Sequence, residues 1–277
     1  PEPPRLLLFA FLWGTSAAVV ISAVLQIVLE AWVHPAGSSD ISPFTLVVGA
    51  PVTEEAAKGV FLLLMMTGAR RNEMNSLTDC LVYAGLVGAG FAWLEDILYI
   101  ANGESLAESL FTAALRLIMG PFAHSLFTTM FALGVWFALQ KRGALAKAGC
   151  ILLGYLGAVI LHAMWNGSSF LGTGAYFGTY VFWMMPVFAL AIVLAVRSRR
   201  REQRVVAEKL PGMVAAAIVT PNEATWLGSL PARKQAVAEA TRFGGKQAGE
   251  SVQRFAQQVV ELAFVRDRID RGFGDPR

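Results

Sequence analysis

The chain has 277 residues, 55% of them hydrophobic and only 16% charged, with a formal net charge of +3 and a mean hydropathy of +0.53. A soluble domain carries about 25% charged residues, which argues against an ordinary globular enzyme. The charge is also uneven: residues 1–196 hold 8 Lys/Arg and 11 Asp/Glu, whereas residues 197–277 hold 15 and 9, so a sparsely charged body precedes a basic tail.

Taken in chain order, the body offers six runs long enough to cross a bilayer, each needing about 20 apolar residues. The first, Leu6–Leu29, is long for a signal-peptide core and is followed by Glu30 and Trp32 rather than a small-residue cleavage site, so it reads as a retained span. The others are Phe44–Thr67, Leu81–Ala101, Met119–Leu139, Gly149–Trp165 and Tyr176–Val196, with Gly167–Gly174 supplying the last turn. Leu106, Leu110, Ala113 and Leu117 form an apolar stripe at helical spacing, an interfacial helix before the fourth span. Arg5, Arg70/Arg71, Lys141/Arg142/Lys147 and Arg197/Arg199/Arg200/Arg201 lie in alternate connections, and the remaining connections contain no Lys or Arg. That alternation places both termini in the cytoplasm. The expected fold is an all-α polytopic membrane bundle over residues 1–200 and a small helical cytoplasmic tail over 201–277. Cys80 and Cys150 sit in or beside apolar runs without a CxxC pattern, which excludes a disulfide-stapled secreted domain.

In the tail, Arg197–Arg204 reads as a topology anchor in contact with lipid headgroups. Met213–Val219 is too short to span, Gly244-Gly245 reads as a turn, and an amphipathic helix follows from Val252 to Phe264. No aromatic-basic interleaving supports nucleic-acid binding despite the tail's net positive charge.

Inside the runs the ionisable residues are few: Glu54, Glu55, Lys58, Glu95, Asp96, His124 and His162, joined by the amide Asn166. Such groups are costly at membrane depth and mark function. Counted from the cytoplasmic charge markers, Glu55, Glu95, His124 and His162 all fall about 22–26 Å from the inner boundary, one level on four helices in the outer half of the bilayer. Glu54 and Lys58, four apart, can pair, leaving Glu55 about 100° away to face another partner. His162 and Asn166 share a face, placing an imidazole and an amide donor against one substrate carbonyl. Phe91 and Glu95 share a face likewise. Gly85, Gly88 and Gly90 permit close helix approach. Pro51 and Pro121 predict bent or broken helices that line a cavity. Asp96 reads as a group on the outer rim, Arg116 as a headgroup contact, and His34 as a solvated loop histidine.

Two carboxylates, two histidines and an amide suit water activation, with a carboxylate taking the proton and the amide steadying an oxyanion. Peptide hydrolysis is the natural reaction class. Ser125 lacks the G-x-S-x-G context of a nucleophilic serine, and the H-E-x-x-H zinc signature is absent. A proton- or cation-coupled transporter is the rival reading, but the spans contain no evident repeat. A non-catalytic scaffold of the same fold is the second rival.

Glu54-Glu55-Ala56-Ala57-Lys58 fits E-E-x-x-K, and Phe91-Ala92-Trp93-Leu94-Glu95 fits F-x-x-x-E. Pro121-Phe122-Ala123-His124 carries a first histidine, and His162-Ala163-Met164-Trp165-Asn166 fits H-x-x-x-N. In this order, over roughly residues 40–200, they resemble the PrsW family of bacterial intramembrane proteases, related to the CAAX prenyl protease and bacteriocin-processing superfamily. The CAAX branch carries His where this chain has Glu95, a departure that favours the PrsW branch. The resemblance implies cleavage of a membrane-anchored protein, such as an anti-sigma factor, on its outer side in the bacterial plasma membrane. It implies Glu54, Glu55, Glu95, His124, His162 and Asn166 as catalytic residues with Lys58 supporting. It leaves two mechanisms open: zinc held by Glu95, His124 and His162 with Glu54 or Glu55 as base, or metal-free water activation by Glu and His.

Overall fold

A computed structural model describes residues 2–33 and 42–273; His34 lies outside them. Among the described residues the chain is all helical. The elements are α1 (Pro4–Val33), α2 (residues 43–65), α3 (Leu77–Ala101), α4 (residues 106–119), α5 (Ala123–Leu139), α6 (Ala144–Phe170), α7 (Thr173–Ala215), α8 (Pro221–Leu227) and α9 (Leu230–Asp270). Five stretches, α1, α3, α4 with α5, α6 and α7, are long and apolar enough to cross a membrane. The helix α2 coincides with the second expected run, and it falls outside that apolar set because it carries Glu54, Glu55 and Lys58.

Local sequence explains the boundaries. Ser76 and Asp79 form a reciprocal capping box that starts α3, the Ser76 hydroxyl accepting from the Asp79 amide at 3.1 Å and the Asp79 carboxylate from the Ser76 amide at 2.8 Å. Ser105 caps α4 by accepting from the Glu108 amide. Pro121 lies in the break Gly120–Phe122 that separates α4 from α5, as its missing N–H dictates. Wide π-turns interrupt α1 at Gly14–Ala18, α2 at Thr45–Gly49, α4 at Leu115–Met119 and α7 at Tyr180–Met184.

The described residues divide into two compact units, Glu2–Ala195 and the chain from Val196 onward. The first unit has a core of Phe61, Leu62, Met65, Tyr83, Val87, Phe131 and Val135, contributed by α2, α3 and α5. Glycines bring helix backbones together, among them Gly90, where a Cβ would stand 2.1 Å from Phe11 O of α1. A Cβ at Gly88 would stand 2.5 Å from Ser125 Cα, so α3 lies directly against the start of α5, and Gly134 and Gly154 oppose each other across α5 and α6. Gly85, by contrast, has open space around its Cα, so the close approach runs through Gly88 and Gly90. Large apolar side chains face outward on this unit, among them Leu153, Ile160, Phe182 and Leu190, while Glu55, Lys58 and His162 are buried. Apolar outside and charged inside is the polarity of a protein solvated by lipid. It is a multi-pass membrane protein.

In the second unit, Val206, Leu210, Met213, Val219, Leu227, Ala256, Val259 and Ala263 form a separate apolar core. The expected amphipathic helix from Val252 is the part of α9 that supplies it. The expected break at Gly244-Gly245 is present: Gly245, at φ 77°, leaves the helical region, and α9 consists of two helices that meet at a kink there.

Candidate active site

The helices α2, α3, α5 and α6 bring Glu54, Glu55, Lys58, Glu95, His124 and His162 into one cluster, buried except for the partly exposed Glu95, although the residues span more than a hundred positions of sequence. Lys58 Nζ is its hub. It stands 2.8 Å from Glu55 Oε1, 2.8 Å from His124 Nδ1 and 3.4 Å from Glu54 Oε2, and lies 3.9 Å from the centre of the Phe91 ring. Three acceptors therefore take the three donors a lysine has. The nearer carboxylate is that of Glu55 rather than Glu54. Positions i, i+3 and i, i+4 both face one another on a helix, and the lysine stem reaches between them.

The network also fixes how each imidazole is turned. A lysine can only donate, so His124 Nδ1 accepts from it, and His124 Nε2–H then donates to Glu95 Oε2 at 2.8 Å. His162 Nδ1–H donates to Glu55 Oε1 at 3.0 Å, leaving the Nε2 lone pair free. Both inward nitrogens face the same atom: Glu54 Oε2 lies 4.0 Å from His124 Nδ1 and 3.9 Å from His162 Nε2. Thus Glu55 and Glu95 hold the outer N–H of each ring, and Glu54 Oε2 stands opposite the two inward nitrogens, of which His124 Nδ1 accepts from Lys58. The rings are perpendicular, at 89° and 5.1 Å between centroids, and Phe127 stacks on His162 at 4.6 Å.

Glu54, His124 and His162, all buried, each offer one ligand atom, and these atoms lie within 4.8 Å of one another. Two imidazoles and a carboxylate are a donor set that divalent metals take up in hydrolytic sites, so the residues fit a metal ion once Lys58 turns away from His124 Nδ1. Glu95, expected among the ligands, is instead placed on the outer nitrogen of His124 and beside Arg116.

Several polar residues have other placements than the spacing led one to expect. Asn166 Nδ2 donates to the Leu46 carbonyl at 3.0 Å. The cause lies in α2: the Ala50 amide bonds to Thr45 O in π register, so the next N–H in that register would serve Leu46, but residue 51 is proline. The Asn166 amide supplies the missing donor and ties α6 to α2. Asp96 is buried, not on a solvated rim, and Arg116, expected at the headgroups, pairs through Nη2 with Glu95 and through Nε with Asp96 at 2.5 Å. Ser125 Oγ donates to Gly85 O at 2.9 Å.

Two further polar residues touch the cluster without having been singled out. Gln26 Nε2 on α1 donates to Glu54 Oε1 at 3.3 Å, and Thr128 Oγ1 lies 3.2 Å from Glu55 Oε2. Gln26 was legible only as a lone amide in an apolar run, and Thr128 as the residue four positions after His124, on the same helix face.

No curated protein and no solved structure matches the chain. The family comparison does: the sequence matches the PrsW family intramembrane metalloprotease over residues 2–191, a span that includes every residue of the cluster. With most of its length covered by that match, the chain belongs to the PrsW family of intramembrane metalloproteases and is a peptidase.

Proposed function

We propose that this peptidase hydrolyses a peptide bond of a membrane-anchored, single-span protein, of the anti-sigma-factor kind, in the outer half of the bacterial plasma membrane. The alternation of basic loops supports an orientation with both termini cytoplasmic. The observation that carries the chemistry is the convergence of Glu54 Oε2 with the lone pairs of His124 and His162.

Glu54, His124 and His162 would hold a metal, with zinc the ion that suits two imidazoles and a carboxylate. Such an ion, when bound, supplies Lewis-acid polarisation and makes water a stronger acid. The chain's own residues do the rest. In the metal-free route Glu54 is not a ligand and accepts the proton as the water oxygen bonds to the carbonyl carbon, then returns it to the amine nitrogen as the C–N bond breaks. Glu55 and Glu95 keep both imidazoles in the tautomers that point lone pairs inward. Lys58 offsets the charge of two adjacent buried carboxylates. Phe91 and Phe127 wall the imidazoles and exclude bulk water.

Co-expression with a panel of single-span substrates tests the reading. Wild-type protein is expected to release a fragment cut near the outer membrane surface, and the Glu54→Gln form none; equal cleavage by both sinks the assignment. Elemental analysis of purified, active protein tests the metal. About one equivalent of zinc, lost in His162→Ala, is expected, and full activity with far less than one equivalent overturns the zinc assignment.

A further inference from the structure

The position of Arg116 has a use that none of the sequence motifs predicts. Its guanidinium is a fork held by two neighbouring carboxylates of α3, Nη2 on Glu95 and Nε on Asp96, with the Tyr99 ring 4.1 Å from Cζ on the side. Glu95 in turn accepts from His124 Nε2–H at 2.8 Å. The chain Arg116–Glu95–His124 thus ends on the nitrogen opposite the one that faces Glu54. Arg116 sits inside the π-turn Leu115–Met119, and only the break Gly120–Phe122 separates that turn from the helix that carries His124. An arginine fork fixes two acceptors in one plane, which a point charge does not do.

We propose that Arg116 is a positioning residue for His124, acting through Glu95. It holds the Glu95 carboxylate on Nε2–H, which fixes the plane of the ring and so where Nδ1, bonded to Lys58, stands beside Glu54. Asp96 is the second anchor of the fork. Without Arg116, Glu95 is a partly exposed carboxylate beside another, and their repulsion turns it away from the imidazole. The inference rests on the peptidase reading for its kinetic arm, and its second arm needs no substrate.

The kinetic arm measures kcat and KM on a single-span substrate in vesicles for wild type, Arg116→Gln, Arg116→Lys, Glu95→Gln and the double variant Arg116→Gln/Glu95→Gln. Loss of an outer partner of a site histidine costs about 10–100-fold in activity. Arg116→Gln is therefore expected to lower kcat by about that factor with KM nearly unchanged, and Arg116→Lys to recover part of it. In the Glu95→Gln background the Arg116 substitution should cost little more, because the two act in one line. Multiplying effects, an effect on KM alone, or wild-type turnover in Arg116→Gln each overturns the proposal. An inactive wild type would count against the peptidase reading and leave the second arm to decide. That arm reads the shifts of the 15N-bound imidazole protons, simplified because the chain has 3 histidines. Lys58 on Nδ1 keeps His124 the Nε2–H tautomer in every form, and its Nε2–H proton, hydrogen-bonded to Glu95, is expected downfield in wild type and shifted upfield in Arg116→Gln; Arg116→Lys serves if the Gln form does not fold. An unchanged Nε2–H shift in the variants overturns the proposal.

Discussion

In the unit from Glu2 to Ala195 the fully buried side chains include Glu55, Lys58 and His162, and large apolar groups such as Phe182 face outward; in the unit from Val196 onward the buried side chains are Val206, Met213 and Leu227, and the ion pairs lie at the surface. The same residue types therefore act under different physics. Lys58 has no exposed surface and three short-range partners, whereas Lys209 reaches Asp270 at 2.7 Å on a carboxylate that is 60% exposed. Surface pairs are screened and contribute about 0–1 kcal/mol. A buried charge that loses its partner is destabilising by about 3–5 kcal/mol. The contrast teaches where in this chain a charge signals chemistry and where it only solvates a helix face.

Substitutions can break or sharpen that contrast. The largest effect is expected from His162→Ala, which removes one of the two inward lone pairs and its stack on Phe127. Turnover should fall at least about 100-fold, the scale on which general acid–base groups act, in a cleavage assay on purified protein. Lys58→Met should come next. It leaves Glu55 facing His162 and Thr128 without its cation, at a cost of about 3–5 kcal/mol, read as a fall in thermal midpoint. Asn166→Ala removes the donor to Leu46 O, and an unpaired carbonyl costs about 1–3 kcal/mol. Its turnover should fall less than that of His162→Ala, because the amide braces α2 rather than facing Glu54. Smallest of all, Lys209→Met should change stability by less than about 1 kcal/mol. A Lys209 effect equal to that of Lys58 would erase the distinction between the two regions.

Much of this was legible in the sequence, for identifiable reasons. Runs of apolar residues set by bilayer thickness mark the helices, and residue counts from the basic loops put Glu55, Glu95, His124 and His162 at one expected level, in keeping with their convergence. What escaped depended on contacts between helices. Arg116 looked like a boundary cation because its partners, Glu95 and Asp96, lie twenty residues away across a loop, and helical periodicity does not report which helix stands alongside. Asn166 shares a face with His162, but four residues of axial rise, about 6 Å, carry its amide to the carbonyl that Pro51 leaves unpaired. The assignment of Lys58 to Glu54 used i, i+4 spacing alone, and the i, i+3 partner Glu55 proved nearer. Gly244-Gly245 reads in sequence as a turn, and Gly245 is where the two helices of α9 meet at a kink.

The central claim is that adjacent glutamates have separate tasks: Glu54 faces the reaction and Glu55 orients His162. Turnover of a single-span substrate in vesicles by wild type, Glu54→Gln and Glu55→Gln, with thermal midpoints measured on the same samples, tests it most directly. The account predicts that Glu54→Gln abolishes turnover with the midpoint nearly unchanged, and that Glu55→Gln lowers the midpoint more and retains measurable cleavage. Retained turnover in Glu54→Gln, with complete loss only in Glu55→Gln, would contradict it.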